Sequence, residues 1–183
     1  MENKSLSKVI VYGGGIIGNL ASLCLKSNGL DVCQIKSDVN NTIDRTYALS
    51  PGSVDWMKSI GLRENFFNSL YPVENIQIIR HNSKVSFSAD SVFQPALAYM
   101  VSEKKLMKEI QEKLIAHDIK TFSEPKKIIL DNSPDQVRIE LGKESLTASL
   151  LVACDGANSK IKEHLDIRKK IKNFNQNAIV FNF

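Results

Sequence analysis

Two hydrophobic periods alternate along this chain. Val9 to Tyr12 form a short apolar run, the pattern of a buried strand. Ile16 to Lys26 then place Ile16, Ile17, Leu20, Leu23 and Cys24 at helical spacing, and Asn28-Gly29 stops the predicted helix. Asp31 to Ile35 read as a second short strand. Together these predict a βαβ unit of about thirty residues at the start of the chain. A polar connection, Lys36 to Thr46, follows.

Ser50-Pro51 starts a predicted helix through Ile60: serine caps, and proline is tolerated in the first turn. Gly61 ends it. Val73 to Arg80 and Lys84 to Ala89 alternate in polarity around His81-Asn82-Ser83, which predicts an antiparallel hairpin. Ala98 to Val101 predict another strand, and Ser102-Glu103 opens a helix with Leu106, Ile110 and Leu114 on one face. Ile119 to Phe122, Lys127 to Leu130, Val137 to Leu141, Ser145 to Thr147 and Leu150 to Ala153 read as strands. The last of these is continuously apolar, the pattern of a strand buried on both faces. A short helix, Ser159 to Leu165, follows it. Asn177 to Phe183 predict a final strand, whose sheet is expected to continue in residues beyond this chain and to include the hairpin.

Composition narrows the class. The 183 residues are 43% hydrophobic and 24% charged, an ordinary soluble balance. The net charge of +4 comes from nineteen lysines and five arginines spread along the chain. Such a spread argues against a nucleic-acid partner, which selects clustered arginines and aromatics. Cys24, Cys33 and Cys154 show no C-x-x-C spacing and sit in apolar patterns, as reduced cytoplasmic cysteines do. His81, His117 and His164 are isolated from one another and from the cysteines, so no metal site is predicted. No apolar run approaches the ~20 residues of a membrane span. The N-terminal MENKSLSK lacks the apolar core of a signal peptide.

The candidate chemistry begins at Gly13-Gly14-Gly15-Ile16-Ile17-Gly18, between the first strand and the first helix. Gly13 permits a tight turn. Gly15 lets a phosphate approach the backbone, and Gly18 lets helix and strand pack closely. The helix N-terminus offers free N–H groups and a positive dipole end. Gly14 and Ile17 complete the candidate set in this turn. The end of the second strand, where an acidic residue ordinarily holds a ribose, carries Lys36. A cation there suits the 2′-phosphate of NADP, or marks an altered ribose contact that Asp38 replaces; the residues leave both open. Asp155-Gly156 closes the apolar strand Leu150 to Ala153, at the sheet edge where ligands of open α/β folds bind.

Several blocks then occur in one order: GGGIIG; Asp44-Arg45-Thr46-Tyr47-Ala48-Leu49-Ser50 leading to Ser53 and Ile60-Gly61-Leu62; ACDGANSKIKEHLDI; and Asn173-Phe174-Asn175-Gln176-Asn177-Ala178-Ile179-Val180. The chain resembles the class A flavoprotein monooxygenases, and within them the ubiquinone-biosynthesis hydroxylases. This resemblance covers almost the whole chain. It implies an α/β fold: a Rossmann-like FAD-binding domain with a parallel sheet and helices, plus part of an antiparallel substrate-domain sheet. The implied division gives residues 1–72 and 97–170 to the FAD-binding domain and 73–96 and 171–183 to a partial substrate domain.

The resemblance also implies FAD, with its pyrophosphate at Gly13 to Gly18, and NAD(P)H as reductant. Arg45 is similar to an arginine that approaches the FAD phosphates. Asp155 and Gly156 match a motif associated with both FAD and the reductant, and Lys104 falls near a position that faces the flavin. The implied substrate is a polyprenylated phenol, carried by the membrane, so peripheral contact of a cytoplasmic protein with the inner membrane is expected. The flavin carries the difficult chemistry in such enzymes, and no catalytic side chain is assigned. Two departures stand out: Lys36 in place of the ribose-binding acid, and the absence of the family's second Gly-Asp motif, expected beyond Phe183. The chain is therefore expected to be the N-terminal half of such an enzyme, completed by a separately encoded C-terminal half or by other ubiquinone-biosynthesis proteins. The alternatives are a non-catalytic nucleotide-binding remnant and an NADP-binding reductase.

Overall fold

The computed structural model describes residues 8–37, 44–125, 128, 130–133, 135–142 and 144–177. Its centre is a parallel sheet. β1 (Lys8–Tyr12) pairs on one side with β2 (Asp31–Lys36) and on the other with β12 (Leu150–Ala153), and β2 pairs with β8 (Lys120–Ser123). Ile10 lies opposite Cys33 on one side and Leu151 on the other.

Strand periodicity divides this sheet into two faces. Val9, Val11 and Val32 turn toward α1 (Ile16–Ser27). Ile10, Tyr12, Cys33 and Ile35 turn the other way, onto an antiparallel sheet of β9 (Leu130–Asn132), β10 (Val137–Leu141) and β11 (Glu144–Ala148). Val137, Ile139, Leu146 and Ala148 complete that second core. The helical layer joins α1 to α4 (Glu103–Ala116), with Leu20 and Leu23 packed among Leu106 and Ile110. The parallel sheet is thus held between helices and a small antiparallel sheet.

α2 (Pro51–Ser59) and α3 (Glu64–Asn68) add Val54, Met57, Phe66 and Phe67 to the helical core. A second antiparallel sheet orders β3 (Thr46–Leu49), β7 (Ala98–Ser102) and β4 (Tyr71–Val73). β5 (Asn75–Arg80) and β6 (Ser83–Ser88) form a separate hairpin. Ser50 and Ser102 cap α2 and α4 through their hydroxyls, which accept from the N–H of Ser53 and of Lys105 at 3.2 Å each. Those caps sit where the sequence predicts helix starts.

Several expectations are corrected. Thr46 begins β3 rather than ending a polar connection, because it pairs with Ser102. Val73 belongs to β4, so the hairpin's first strand starts at Asn75. The turn is two residues, His81-Asn82, since Arg80 pairs with Ser83 and His81 takes a left-handed φ of 51°. α3 and β4 were not predicted: neither is long enough to show a period. Leu150 to Ala153 are not buried on both faces. β12 is the sheet's edge among the described residues, and Leu150 is 51% exposed. Asp38, residues 127 and 129 of the strand expected over Lys127 to Leu130, and Ala178 to Phe183 of the final strand lie outside the described residues. The described strand near the second of these is Leu130–Asn132.

One buried charge ties α3 to α4. Glu109 is 2% exposed and accepts from the Arg63 backbone N–H at 2.9 Å and from Arg63 Nε at 2.9 and 3.1 Å, with Arg63 Nη2 closing the fork. Glu112 reaches the same guanidinium at 2.6 Å. Burial pushes the Glu109 carboxyl up, but the Arg63 hydrogen bonds and charge outweigh it and leave the group below its ordinary value. A depressed folded value stabilises fully above the unfolded value, near 4.5, and the contribution is lost as pH falls through the lower folded value. Glu109→Gln is therefore expected to lower the melting temperature at neutral pH by about 4 °C. It also flattens the acid loss of stability, checked by thermal melts between neutral pH and pH 3.

Candidate functional site

The glycine turn fills the junction of β1, β2, β12 and α1. The Gly13 N–H donates to Ile35 O at 2.8 Å, and the Cys154 N–H donates to Tyr12 O at 2.7 Å. Both neighbouring strands thus hold the end of β1. Gly13 has a φ of +130°, and a Cβ on it would lie 2.2 Å from the Cys154 carbonyl oxygen. A Cβ on Gly18 would lie 2.1 Å from the Gly13 oxygen, and one on Gly14 would lie 2.5 Å from the Lys36 Cβ. These three positions are closed to side chains by contact with the protein itself.

Gly15 differs. A Cβ there would meet nothing within 4 Å. Gly15 is the N-cap of α1, with no side-chain cap and no acidic residue in the first helical turn. The N–H groups of Gly14 and Gly15 find no acceptor among the described residues. Ile17 stands beside them, 70% exposed in spite of its apolar side chain. Open backbone donors at the positive end of a helix suit an anionic, phosphate-bearing ligand.

Lys36 ends β2 with its side-chain stem over Gly14, and its ammonium makes no ion pair among the described residues. The edge of the site is therefore cationic where a ribose-binding acid is ordinary. Arg45 and Lys104 are brought to each other instead. The Glu103 N–H donates to Arg45 O at 2.6 Å, and the Lys104 N–H donates to Asp44 Oδ1 at 3.0 Å. Asp44 thus serves the N-terminus of α4, a role its position in the sequence did not reveal. Both cationic side chains are exposed, and α4, whose start they flank, packs on α1.

Asp155 follows β12 and adjoins the turn through Cys154. Its carboxylate accepts from Ser159 Oγ at 2.6 Å and from the Ile161 N–H at 3.2 Å, bracing the start of α5 (Lys160–His164). Gly156 has a φ of +83°, a backbone that favours glycine. Behind this loop the Tyr12 hydroxyl donates to Glu124 Oε1 at 3.0 Å, and Lys160 Nζ lies 3.0 Å from the same oxygen. Burial, then the Glu124 carboxylate, push the Tyr12 phenol far up, so it remains a donor. The Asp-Gly loop is in this way fixed to the ends of β1 and β8.

Sequence reading missed the layer beneath the turn. Gln34, buried in β2, donates through Nε2 to Gly13 O at 3.0 Å and to Asn19 Oδ1 at 2.7 Å. The signal was present: a lone amide inside the apolar strand Asp31–Lys36, at the parity that faces α1.

The family described as FAD binding domain matches residues 7–182. Among curated proteins, the chain is 27% identical over 169 residues to the 3-demethoxyubiquinol 3-hydroxylase of Escherichia coli, covering 86% of this chain and 43% of that one. The chain thus spans less than half the length of this relative. Among solved structures, p-nitrophenol 4-monooxygenase from Pseudomonas putida superposes with a TM-score of 0.72 at 21% identity, over 87% of this chain and 43% of that one. A Diels-Alderase of pyrroindomycin biosynthesis superposes equally well, with a TM-score of 0.72 at 21% identity, over 88% and 35%. The structural likeness establishes the fold, which serves more than one reaction.

The glycine contacts make an unequal pair of substitutions. Gly18→Ala is expected to cost about 1–3 kcal/mol by overpacking against the Gly13 carbonyl. Gly15→Ala, which enters open space from an ordinary φ, is expected to cost only about 0.5 kcal/mol. Urea unfolding of the two variants checks the order.

Proposed function

The chain belongs to the FAD binding domain family, and from that premise we propose that it is the cofactor-binding half of an FAD-dependent aromatic-ring hydroxylase. The observation that carries this reading is the cradle at Gly15. Backbone donors face outward there, a helix N-terminus is uncapped, and the missing Cβ leaves room for a pyrophosphate. Gly14, Gly15 and the first residues of α1 would hold the phosphates, and Ile17 would offer an apolar wall. Arg45 and Lys104 supply positive charge from the start of α4.

The chemistry a bound flavin would supply is electron acceptance from NAD(P)H and activation of dioxygen toward an electron-rich ring. This chain's own residues bind and orient. None of them is assigned a covalent or proton-transfer role. The similarity to a hydroxylase of 3-demethoxyubiquinol supports a polyprenylated phenol as the substrate class. An apolar substrate of that kind is delivered from a membrane, which supports peripheral contact; no helix among the described residues is long and apolar enough to cross one. Residues supplied by a C-terminal half, encoded with or apart from this chain, would complete the pocket.

Lys36 modifies the reading. Its stem rests on Gly14, so its charge lies beside the cradle where a carboxylate would accept ribose hydroxyls. The chain alone is therefore expected to hold FAD weakly and to show no NADPH-dependent hydroxylation. Titration of FAD with the purified chain, followed by flavin fluorescence and calorimetry, tests this. Gly15→Ala should weaken binding about tenfold, the loss of one charge-assisted contact, with little change in melting temperature. Lys36→Glu should tighten it. Affinity that ignores Gly15→Ala would place the ligand elsewhere, and stoichiometric flavin surviving gel filtration would contradict weak binding.

A further inference from the structure

The face of the parallel sheet that meets α1 is aliphatic except at one point. Val9, Val11 and Val32 line it with Ala21, Leu25 and Leu30. Gln34 shares the parity of Val32, and it meets Asn19 on α1. Gln34 is 1% exposed and Asn19 3%. Asn19 Nδ2 in turn points to Met107 Sδ on α4 at 3.6 Å. The orientation of the Gln34 amide is fixed by chemistry: turned over, its oxygen would face the Gly13 and Asn19 oxygens, two acceptors, without a proton between them.

Stability does not account for two amides here. A pair of apolar side chains of the same shape would remove the need to satisfy either amide, and the one group left short of a donor would be the Gly13 oxygen. What the amides add is a hold on one backbone atom, the Gly13 oxygen. We propose that Gln34 is a positioning residue for phosphate binding: by drawing the Gly13 carbonyl inward it aims the Gly14 N–H outward at the ligand.

The geometry follows from the peptide unit. A trans peptide is planar, with its C=O and N–H pointing in opposite directions. The oxygen of the Gly13–Gly14 peptide points to the buried Gln34. The hydrogen on Gly14 therefore points out of the core, and it meets no acceptor among the described residues. Gly13 is the residue least able to hold this plane by itself, since at a φ of +130° only glycine is unstrained and its freedom to rotate is greatest. The Ile35 carbonyl restrains the plane on the N-terminal side of Gly13, and Gln34, the residue just before Ile35, restrains the plane on the other. Both restraints come from β2. Asn19 fixes the Gln34 amide from the helix, so strand and helix jointly set the direction of one donor.

The identity of the ligand rests on the FAD reading above; the restraint on Gly13 does not. The test uses the full chain with Gln34→Leu, Asn19→Leu and the double variant, each measured three ways: melting temperature, FAD and ADP affinity, and the amide resonance of Gly14 in solution NMR. Each single variant strands one buried amide and is expected to melt lower. The double variant removes both amides, leaves only the Gly13 oxygen short of a donor, and is expected to melt above the Gln34→Leu variant. Affinity for FAD and ADP should nevertheless stay about tenfold down in the double variant, with the Gly14 amide displaced. Recovery of affinity along with stability would overturn the proposal and reduce the pair to packing. Gln34→Met, close in shape and without a donor, covers failure of the double variant to fold, and the same loss of affinity with a displaced Gly14 resonance is expected. Should the wild-type chain bind neither FAD nor ADP, the cofactor reading fails by itself. The Gly14 resonance then decides the restraint: displaced in the double variant, it supports the proposal; unmoved, it overturns it.

Discussion

Close approach between backbone atoms at Gly13 is the constraint from which the remaining architecture follows. The Gly13 Cα sits against the Cys154 carbonyl on one side, and its own oxygen sits against Gly18 on the other. No side chain fits in either gap. β12 can therefore lie beside β1, and α1 can start after only three intervening residues. Were that junction wider, α1 would ride higher on the sheet. The valines facing it would lose their cover, and the contact of α1 with α4 would be disturbed. A short glycine sequence thus sets the spacing of two layers.

The same junction concentrates polarity at one end of an apolar sheet. Tyr12, Gln34, Lys36, Glu124 and Asp155 all lie at the carboxyl ends of the parallel strands or just beyond them. Parallel strands present their ends together, and the loops after them collect there. Most of these groups are engaged with one another: the phenol with a carboxylate, the carboxylate with a lysine, the aspartate with a helix start. What stays unengaged among the described residues is a short row of backbone N–H groups and the Lys36 ammonium. The site is defined by the donors that the surrounding network leaves over.

Elements with a clear period were legible in the sequence: the βαβ unit, the capped helices at Ser50 and Ser102, and the hairpin. The short strands at Ala98, Val137 and Leu150 and the short helix after Ser159 were legible too, from their apolar runs and the Ser159 cap, whereas α3 and β4 offered neither signal and were not. The apolar run Leu150 to Ala153 misled because a strand's composition reports how apolar its surroundings are, not how many neighbours it pairs with. For the site, the glycines and Lys36 were readable as positions, since each acts through its backbone or its place at a strand end. The engagement of Asp155 with Ser159 and Ile161 was not, because a carboxylate four residues before a serine serves a loop as readily as a ligand. Gln34 and Asn19 lie fifteen residues apart, and only the parity of β2 against α1 brings them together. Arg63 and Glu109 show the same difficulty at 46 residues.

β12 gives the chain a character that its charge conceals. The strand pairs with β1 alone among the described residues, and its four residues, Leu150-Leu151-Val152-Ala153, include no lysine and no proline. Edges in water-soluble sheets are commonly guarded by such residues, because a row of unpaired peptide groups accepts any extended chain that reaches it. A net charge of +4 spread over the surface repels like molecules weakly at a distance, whereas a strand edge left open among the described residues acts only at contact, by offering its peptide groups.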